Sequence, residues 1–173
     1  MSNHFDAITV VHENPVWRSR ANFLIVAEIP RDEVKKDFEW EQIWANEIRE
    51  NVFEICCIPF FAYDLALGDV VSTIAKKGRS YVINRVEKQS GRYVFRAWLS
   101  DVSTKESLTQ QLTTLGCMIE IRFSESRLIS IDAATSELAV LTANLLMKEE
   151  SLGSLAYETG LNEEPIAGAS RTW

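Results

Sequence analysis

The stretch that decides the fold is a run of residues with almost no charge. It reads Cys56-Cys57-Ile58-Pro59-Phe60-Phe61-Ala62-Tyr63-Asp64-Leu65, and Leu67-Gly68-Asp69-Val70-Val71 follows closely. An aromatic-rich stretch with a proline in its middle and a Gly-Asp turn at its end is typical of a strand that stops, crosses a corner and starts again. The run therefore indicates an architecture and carries no catalytic motif.

Composition indicates a soluble globular protein. Hydrophobic residues make up 46% of the 173-residue chain and charged residues 25%, both average values. The net charge of -7 repels nucleic acid and anionic membranes and favours basic partners. No signal-like segment or apolar stretch of membrane-spanning length is present, so we predict a cytoplasmic protein that binds neither membrane nor nucleic acid.

Two lobes follow from the pattern along the chain. β-branched runs at 7–11 and 22–29, and then at 70–74, 81–86 and 93–99, predict an antiparallel β-rich lobe, barrel-like or meander, over residues 1–100. A capping box at Ser103 and Glu106 and a glycine stop at Gly116 predict a first helix. Two short strands and a second helix capped by Asp132 come next.

The predicted class is therefore α+β. Its second part is an α-β-β-α lobe over residues 101–160, with two helices packed on a sheet and a core shared with the first lobe. Residues 161–173 are small, polar and acidic, and we predict that they form a mobile tail.

Glu41 to Ile48 gives conflicting signals. Apolar and large residues recur at the helical spacing i, i+3, i+4, i+7 and i+8, whereas Arg49-Glu50-Asn51 followed by Val52-Phe53-Glu54-Ile55 indicates the turn and return strand of a hairpin. Periodicity alone favours a helix.

Three charged residues fall on predicted half-buried positions, namely Asp69, Arg96 and Glu120. Each must be paired or lose its hydration at a cost in free energy. A structural ion pair of Arg96 with Glu120 or Asp69 is one interpretation. The other is a pocket in which Arg96 binds a carboxylate or phosphate.

An aromatic and acidic group surrounds the predicted hairpin. Its members are Trp40, Glu41, Trp44, Glu47, Glu50 and Glu54. The two tryptophans are explained most simply as core residues. The composition is nonetheless the one expected of a surface that docks a basic protein.

Motifs for metal, nucleotide or covalent chemistry are absent from the sequence. His4 and His12 belong to no metal-ligand spacing, and no phosphate-binding loop or nucleophile elbow occurs. The three cysteines are expected to be reduced thiols in apolar strands. We predict no metal, no cofactor and no catalytic residue.

Several of these features resemble those of a known bacterial family. The features are Ile58-Pro59-Phe60-Phe61-Ala62-Tyr63, Gly68-Asp69-Val70-Val71, Ser90-Gly91 before Arg96, and Leu115-Gly116-Cys117 with Glu120. Together they resemble the family catalogued as domain of unknown function 4265, over residues 22–157. The resemblance implies a small cytoplasmic α+β protein without an established activity. It also implies a strand at 41–48, which we adopt against the periodicity.

The leading functional prediction is an interaction protein, specifically an immunity protein that binds a bacterial toxin and covers its active site. Toxins that act on RNA tend to be basic, and an acidic inhibitor gains association rate from electrostatic steering. One alternative is a small-ligand or nucleotide-responsive module with Arg96 as its anion contact. The other is an enzyme whose site is dispersed along the chain.

Overall fold

Two β-sheets and two helices make up the fold. The computed structural model describes residues 8–29, 38–122 and 127–160, and in these ranges it contains ten β-strands and two α-helices. The predicted α+β class is confirmed. The tail predicted at 161–173 lies outside the described residues.

The first sheet has six strands, five of which close into a barrel, and the sequence predicts a barrel-like or meander lobe. Its strands are β1 (Ile8–Val10), β2 (Phe23–Glu28), β3 (Phe38–Arg49), β4 (Val52–Ile55), β5 (Val70–Lys76) and β6 (Arg79–Lys88). From β2 to β6 each strand pairs antiparallel with the next, and β6 returns to β2 in parallel at Val26 and Val82. β1 runs parallel to β3 beside the barrel.

β3 resolves the conflict at Glu41 to Ile48 in favour of a strand. Alternate residues Glu41, Ile43 and Ala45 are fully buried, whereas Trp44 is only half-buried and Glu47 is exposed. A strand is normally recognised by apolar residues at alternate positions. Because Glu41 occupies one of the inward positions of β3, this alternation is hidden in the sequence. The helix favoured by periodicity is wrong.

The second sheet carries both helices. Its elements are β7 (Tyr93–Leu99), α1 (Lys105–Leu115), β8 (Met118–Ile121), β9 (Leu128–Ala133), α2 (Ser136–Ser151) and β10 (Leu155–Thr159). The strand order is β10-β7-β9-β8 and all neighbours are antiparallel. This is the split β-α-β arrangement, made twice.

β7 and β10 complete the predicted α-β-β-α unit. The sequence predicts β7 in the β-rich lobe, but β7 pairs with β9 and β10, so the two sheets divide between β6 and β7 and not at residue 100. Strand alternation then directs Phe95, Ala97 and Leu99 into the core under the helices. The other face of this sheet packs toward the barrel, and Arg96 lies on that face.

Candidate functional site

The uncharged run forms a buried loop between the two sheets. The residues from Cys56 to Ala62 are all buried, although they belong to no helix or strand. A buried loop has backbone amides and carbonyls that no sheet ladder satisfies, so other groups must bind them. In this protein charged side chains provide most of those partners.

Glu41 binds three consecutive amides of this loop. Its carboxylate accepts hydrogen bonds from the backbone N–H groups of Phe60 at 2.5 Å, Phe61 at 2.9 Å and Ala62 at 2.7 Å. The imidazole Nε2 of His12 donates to the same carboxylate at 2.8 Å. A carboxylate that accepts this many bonds is held in its charged form despite full burial.

Glu120 holds the other side of the loop. Its carboxylate accepts from the backbone N–H groups of Ile58 and Val16, each at 3.0 Å. It also binds Nδ1 of His12. His12 therefore lies between two carboxylates, and its ring stacks on Phe60 with a centroid distance of 4.4 Å.

Geometry and pKa shifts agree that His12 is a buried imidazolium. Carboxylates only accept hydrogen bonds, so both ring nitrogens must carry a proton. Burial alone would lower the pKa of His12, but its hydrogen bonds with Glu120 and Glu41 raise it well above its ordinary value. Burial opposes the charge of Glu41 as well, yet its hydrogen bond with His12 gives a net lowering of the Glu41 pKa.

Arg96 completes the network from the second sheet. Its guanidinium donates to the carbonyl oxygens of Ala62 and Pro59 and, at 3.2 Å, to the Glu158 carboxylate, and it lies 4.7 Å from the centre of the Tyr63 ring. The predicted pairing of Arg96 with Glu120 or Asp69 is wrong. The carbonyl groups of the loop provide the hydrogen-bond partners that the buried Arg96 guanidinium needs.

Asp69 has a separate structural role at the end of the loop. It accepts from the backbone amides of Ala66 at 2.9 Å and Ser90 at 2.8 Å. It thereby ties the end of the loop to the residues just before β7. Asp69, Arg96 and Glu120 thus all bind loop backbone, from three directions.

The network leaves little room for catalysis by His12 or Cys57. Two cations, His12 and Arg96, face the buried anions Glu41 and Glu120, and Glu158 adds an exposed carboxylate beside Arg96. Both nitrogens of His12 are occupied as donors, so the ring cannot accept a proton from a substrate. Burial raises the pKa of the Cys57 thiol, which disfavours the nucleophilic thiolate. Among the described residues no group of three potential ligands could hold a metal ion.

The aromatic and acidic group predicted as a docking surface is divided between two faces. Glu41 is interior, whereas its neighbour Trp40 lies on the opposite face of β3, buried 4.8 Å beneath the guanidinium of Arg79. Trp44 lies on the same face as Trp40, with Arg18 at 4.2 Å from its ring centre. On this face the two tryptophans contact arginines, so they do not form the aromatic and acidic surface that the sequence predicts.

The remaining three acids lie near the β3–β4 hairpin. Glu54 forms an ion pair with Arg20 at 2.6 Å. Glu47 and Glu50 are exposed at the end of the hairpin. Only these two residues of the predicted group present free-standing acidic side chains near one another on the surface.

A half-open cleft of about 470 Å³ opens beside the barrel seam. β2 and β6 pair only at Val26 and Val82, and the residues that follow this pair on both strands form cleft walls. Its lining residues are Ala27, Glu28, Ile29, Glu39, Trp40, Ala62, Tyr63, Leu65, Ile74, Lys76, Lys77, Ile83 and Asn84. The volume is within the range of small-molecule sites.

The cleft combines apolar walls with a charged rim. Trp40, Leu65 and Ile83 are among its apolar residues. At the rim the Glu28 carboxylate binds the ammonium groups of both Lys76, at 2.6 Å, and Lys77. Both hydrogen bonds lower the pKa of Glu28. Two cations therefore share one anion at the rim.

The buried network fixes one wall of this cleft. Ala62 and Tyr63 line the cleft, and Ala62 is held at its amide by Glu41 and at its carbonyl by Arg96. The Tyr63 hydroxyl donates to Glu158 at 3.0 Å. Sequence reasoning missed both His12 and the cleft, since neither has a motif and each depends on contacts across more than 20 positions.

Comparisons with known proteins place the fold and leave the activity open. A family model described as "Domain of unknown function (DUF4265)" matches residues 41–157. A solved structure of a hypothetical protein from Neisseria gonorrhoeae is similar, with a TM-score of 0.65 and 18% sequence identity over 81% of this chain and 96% of that chain. No curated protein sequence matches. In the described part of the chain, neither helix is both long and apolar enough to cross a membrane.

Proposed function

We propose that this chain, which belongs to the DUF4265 family, is a binding protein for a small amphipathic molecule. The ligand would have an apolar, ring-sized body and one anionic group. The observation that carries the proposal is the half-open cleft of about 470 Å³, one wall of which is held in place by buried charges. Because this wall is already ordered before binding, the protein loses less conformational entropy when the ligand binds.

The ligand class follows from the lining. Trp40 and the aliphatic residues provide an apolar surface for a ring, because a large aromatic side chain contributes much contact area. Lys76 and Lys77 share Glu28, so an anion on the ligand could take the place of Glu28 beside one of them. This ligand site differs from the Arg96 site expected from the sequence, since Arg96 is bound to carbonyls and Glu158.

Binding of 8-anilinonaphthalene-1-sulfonate tests the proposal, since this fluorescent probe joins two aromatic groups to one sulfonate. We expect saturable binding to the native protein. Trp40→Ala and Lys76→Ala/Lys77→Ala should each weaken binding by about tenfold, which corresponds to about 1.4 kcal/mol. N-phenyl-1-naphthylamine, which lacks the sulfonate, should bind more weakly and should not respond to loss of the lysines.

Lys88→Ala is the matched control, because Lys88 is an exposed lysine at the far end of β6. It should bind the probe like the native protein. Unfolding curves in urea verify that each variant is folded, since partly unfolded proteins also bind this probe. Equal affinity in all variants, or an equal loss in Lys88→Ala, would contradict the proposed site.

The second candidate is the cytoplasmic immunity protein against a bacterial toxin. Its support is now limited to the exposed Glu47 and Glu50, which could steer a basic partner to the β3–β4 hairpin. Partner capture from native cell lysate at low and high salt tests it. A basic protein captured at low salt by the native chain, and lost in Glu47→Lys/Glu50→Lys, would support it. Equal capture by both chains would oppose it.

A further inference from the structure

The outer face of α2 is unusually apolar for an exposed helix. Val140, Leu141 and Met147 are exposed by 60%, 52% and 55% respectively, while the opposite face buries Ala139, Thr142 and Leu146. At 3.6 residues per turn the exposed positions fall on one arc of about 120°. We call this arc the α2 face and define it by Glu137, Val140, Leu141, Asn144, Met147 and Lys148.

Charges at the two ends of the α2 face are opposite. Glu137 lies in the first turn and Lys148 in the last, eleven positions apart and therefore close to three turns, or about 16 Å. They lie on one stripe of the helix, with Leu141 and Asn144 between them. Each charge also complements the helix dipole at its own end.

This pattern is complementary to itself when reversed. In a second copy placed antiparallel, Glu137 faces the Lys148 position and Val140 faces the Met147 position. The midpoint between Glu137 and Lys148 and the midpoint between Val140 and Met147 lie one residue apart, about 1.5 Å along the helix axis. A single two-fold symmetry axis can therefore form both pairs. Asn144 lies close to that axis, where an amide can both donate to and accept from its own symmetry mate.

We propose that the protein forms a homodimer through antiparallel packing of the α2 face on the α2 face of a second copy. The apolar surface continues into a groove of about 440 Å³ between the helices, lined by Leu115, Leu141 and Leu145 among others. A two-fold interface uses the same patch twice, so the Glu137–Lys148 ion pair and the Val140–Met147 contact are each formed twice.

Sedimentation velocity over a concentration series tests the dimer. The native chain should shift from monomer to dimer as its concentration rises. Lys148→Glu should weaken the dimer dissociation constant by about tenfold, because both symmetric ion pairs become repulsive. The doubly reversed Glu137→Lys/Lys148→Glu should recover dimerisation, because each reversed pair forms again across the axis.

Apolar variants separate packing from charge. Val140→Ser and Met147→Ser should favour the monomer, whereas Ile48→Ser, at a similarly exposed position on the barrel, should not change the dissociation constant. Far-UV circular dichroism checks that α2 persists, since the Glu137 carboxylate also binds Thr135 and Ser136 at the start of the helix. A native chain that remains monomeric at every concentration, or a doubly reversed variant no better than Lys148→Glu, overturns the proposal.

Discussion

Glu41 is the residue on which the buried hydrogen bonds converge. Its four bonds, to three loop amides and His12, join β3, the loop and the N-terminal segment. Removing one partner from a buried ion pair leaves the other charge uncompensated, which costs far more than the pair itself contributes. Glu41 is therefore a sensitive place to test the network.

We expect Glu41→Gln to destabilise the protein by about 3–5 kcal/mol, because His12 would lose a buried anionic partner. Urea unfolding measures this change. Glu54→Gln is the control: it removes an ion pair with Arg20, whose side chain is 50% exposed, and should cost only about 0–1 kcal/mol. Similar losses in the two variants would show that the network contributes no more than a surface pair.

Stability should fall at both ends of the pH range. The contribution of His12 is complete below its unfolded pKa of 6.5 and is lost as pH rises through its raised folded pKa. The contribution of Glu41 is present above its unfolded pKa of 4.5 and is lost as pH falls through its lowered folded pKa. Urea unfolding across this range should give a plateau between the two losses.

Histidine NMR titration checks the alkaline side directly, since the chain has only two histidines. One imidazole should keep its proton well above pH 6.5, with both ring N–H signals visible. In His12→Gln the alkaline loss of stability should be reduced. Two imidazoles that both titrate near the ordinary value would contradict the buried imidazolium.

At the residue scale, the sequence predicts the right residue types but the wrong partners for them. A charge on a half-buried strand needs a partner, which marks Glu120 and Arg96 in the sequence, and both are buried and hydrogen-bonded. Their partners are loop amides and carbonyls, which no side-chain pattern encodes. The sequence also predicts Glu41 in an exposed patch, because spacing alone does not distinguish a buried glutamate from a surface one; Glu41 is fully buried.

Helix ends illustrate what local sequence does and does not determine. Gly116 ends α1 with a φ of 104°, as predicted, because only glycine adopts this region without strain. The starts were less predictable. Asp101 accepts from the Ser103 amide in place of the predicted capping box, and Asp132 is a buried β9 residue that pairs with Arg92. Asp132 does not cap α2, because its backbone belongs to β9 and its carboxylate binds Arg92.

Thr135 is the cap of α2, and its hydroxyl accepts from the Leu138 amide at 3.1 Å. We expect Thr135→Ala to cost about 1 kcal/mol of unfolding free energy, because that amide loses its partner. Thr135→Ser keeps the hydroxyl and should remain close to the native value. Thermal or urea unfolding compares the two, and an equal loss in both would exclude the capping role.

Strand β10 shows why the end of the second lobe was missed. The sequence offers a break at Gly153 and an end at Gly160 for the second helix; α2 ends at Ser151, just before Gly153, and residues Leu155–Thr159 pair with β7. Tyr157 and Thr159 are strand formers, but the segment also carries Ala156 and Glu158. Pairing with an available sheet edge, not propensity, decides its conformation.

The whole molecule is joined through the buried loop. Glu41 reaches it from the barrel, while Arg96, Glu120 and Ser130 reach it from the second sheet, the last through a bond to the Ile58 carbonyl at 3.1 Å. Neither sheet can separate without leaving these polar groups unpaired. The two lobes should therefore behave as one cooperative unit.

Coincident unfolding is the expected outcome. In Trp98→Phe/Trp173→Phe, the remaining tryptophans are Trp17, Trp40 and Trp44 around the barrel, whereas far-UV circular dichroism is dominated by the helices on the second sheet. Both signals should give the same urea midpoint and slope. Separate midpoints would mean that the loop does not couple the lobes.

The wide spacing of the loop's partners has a consequence for synthesis. Glu120 lies 62 positions after Ile58, and Ser130 lies 72 positions after it. At about 5–20 residues per second, a ribosome needs roughly 3–14 seconds to make them once Ile58 has been added. During that interval Phe60 and Phe61 have been translated but cannot yet be buried. We expect these exposed aromatic residues to promote aggregation of the nascent chain, and we expect holding chaperones to bind this segment until synthesis is complete.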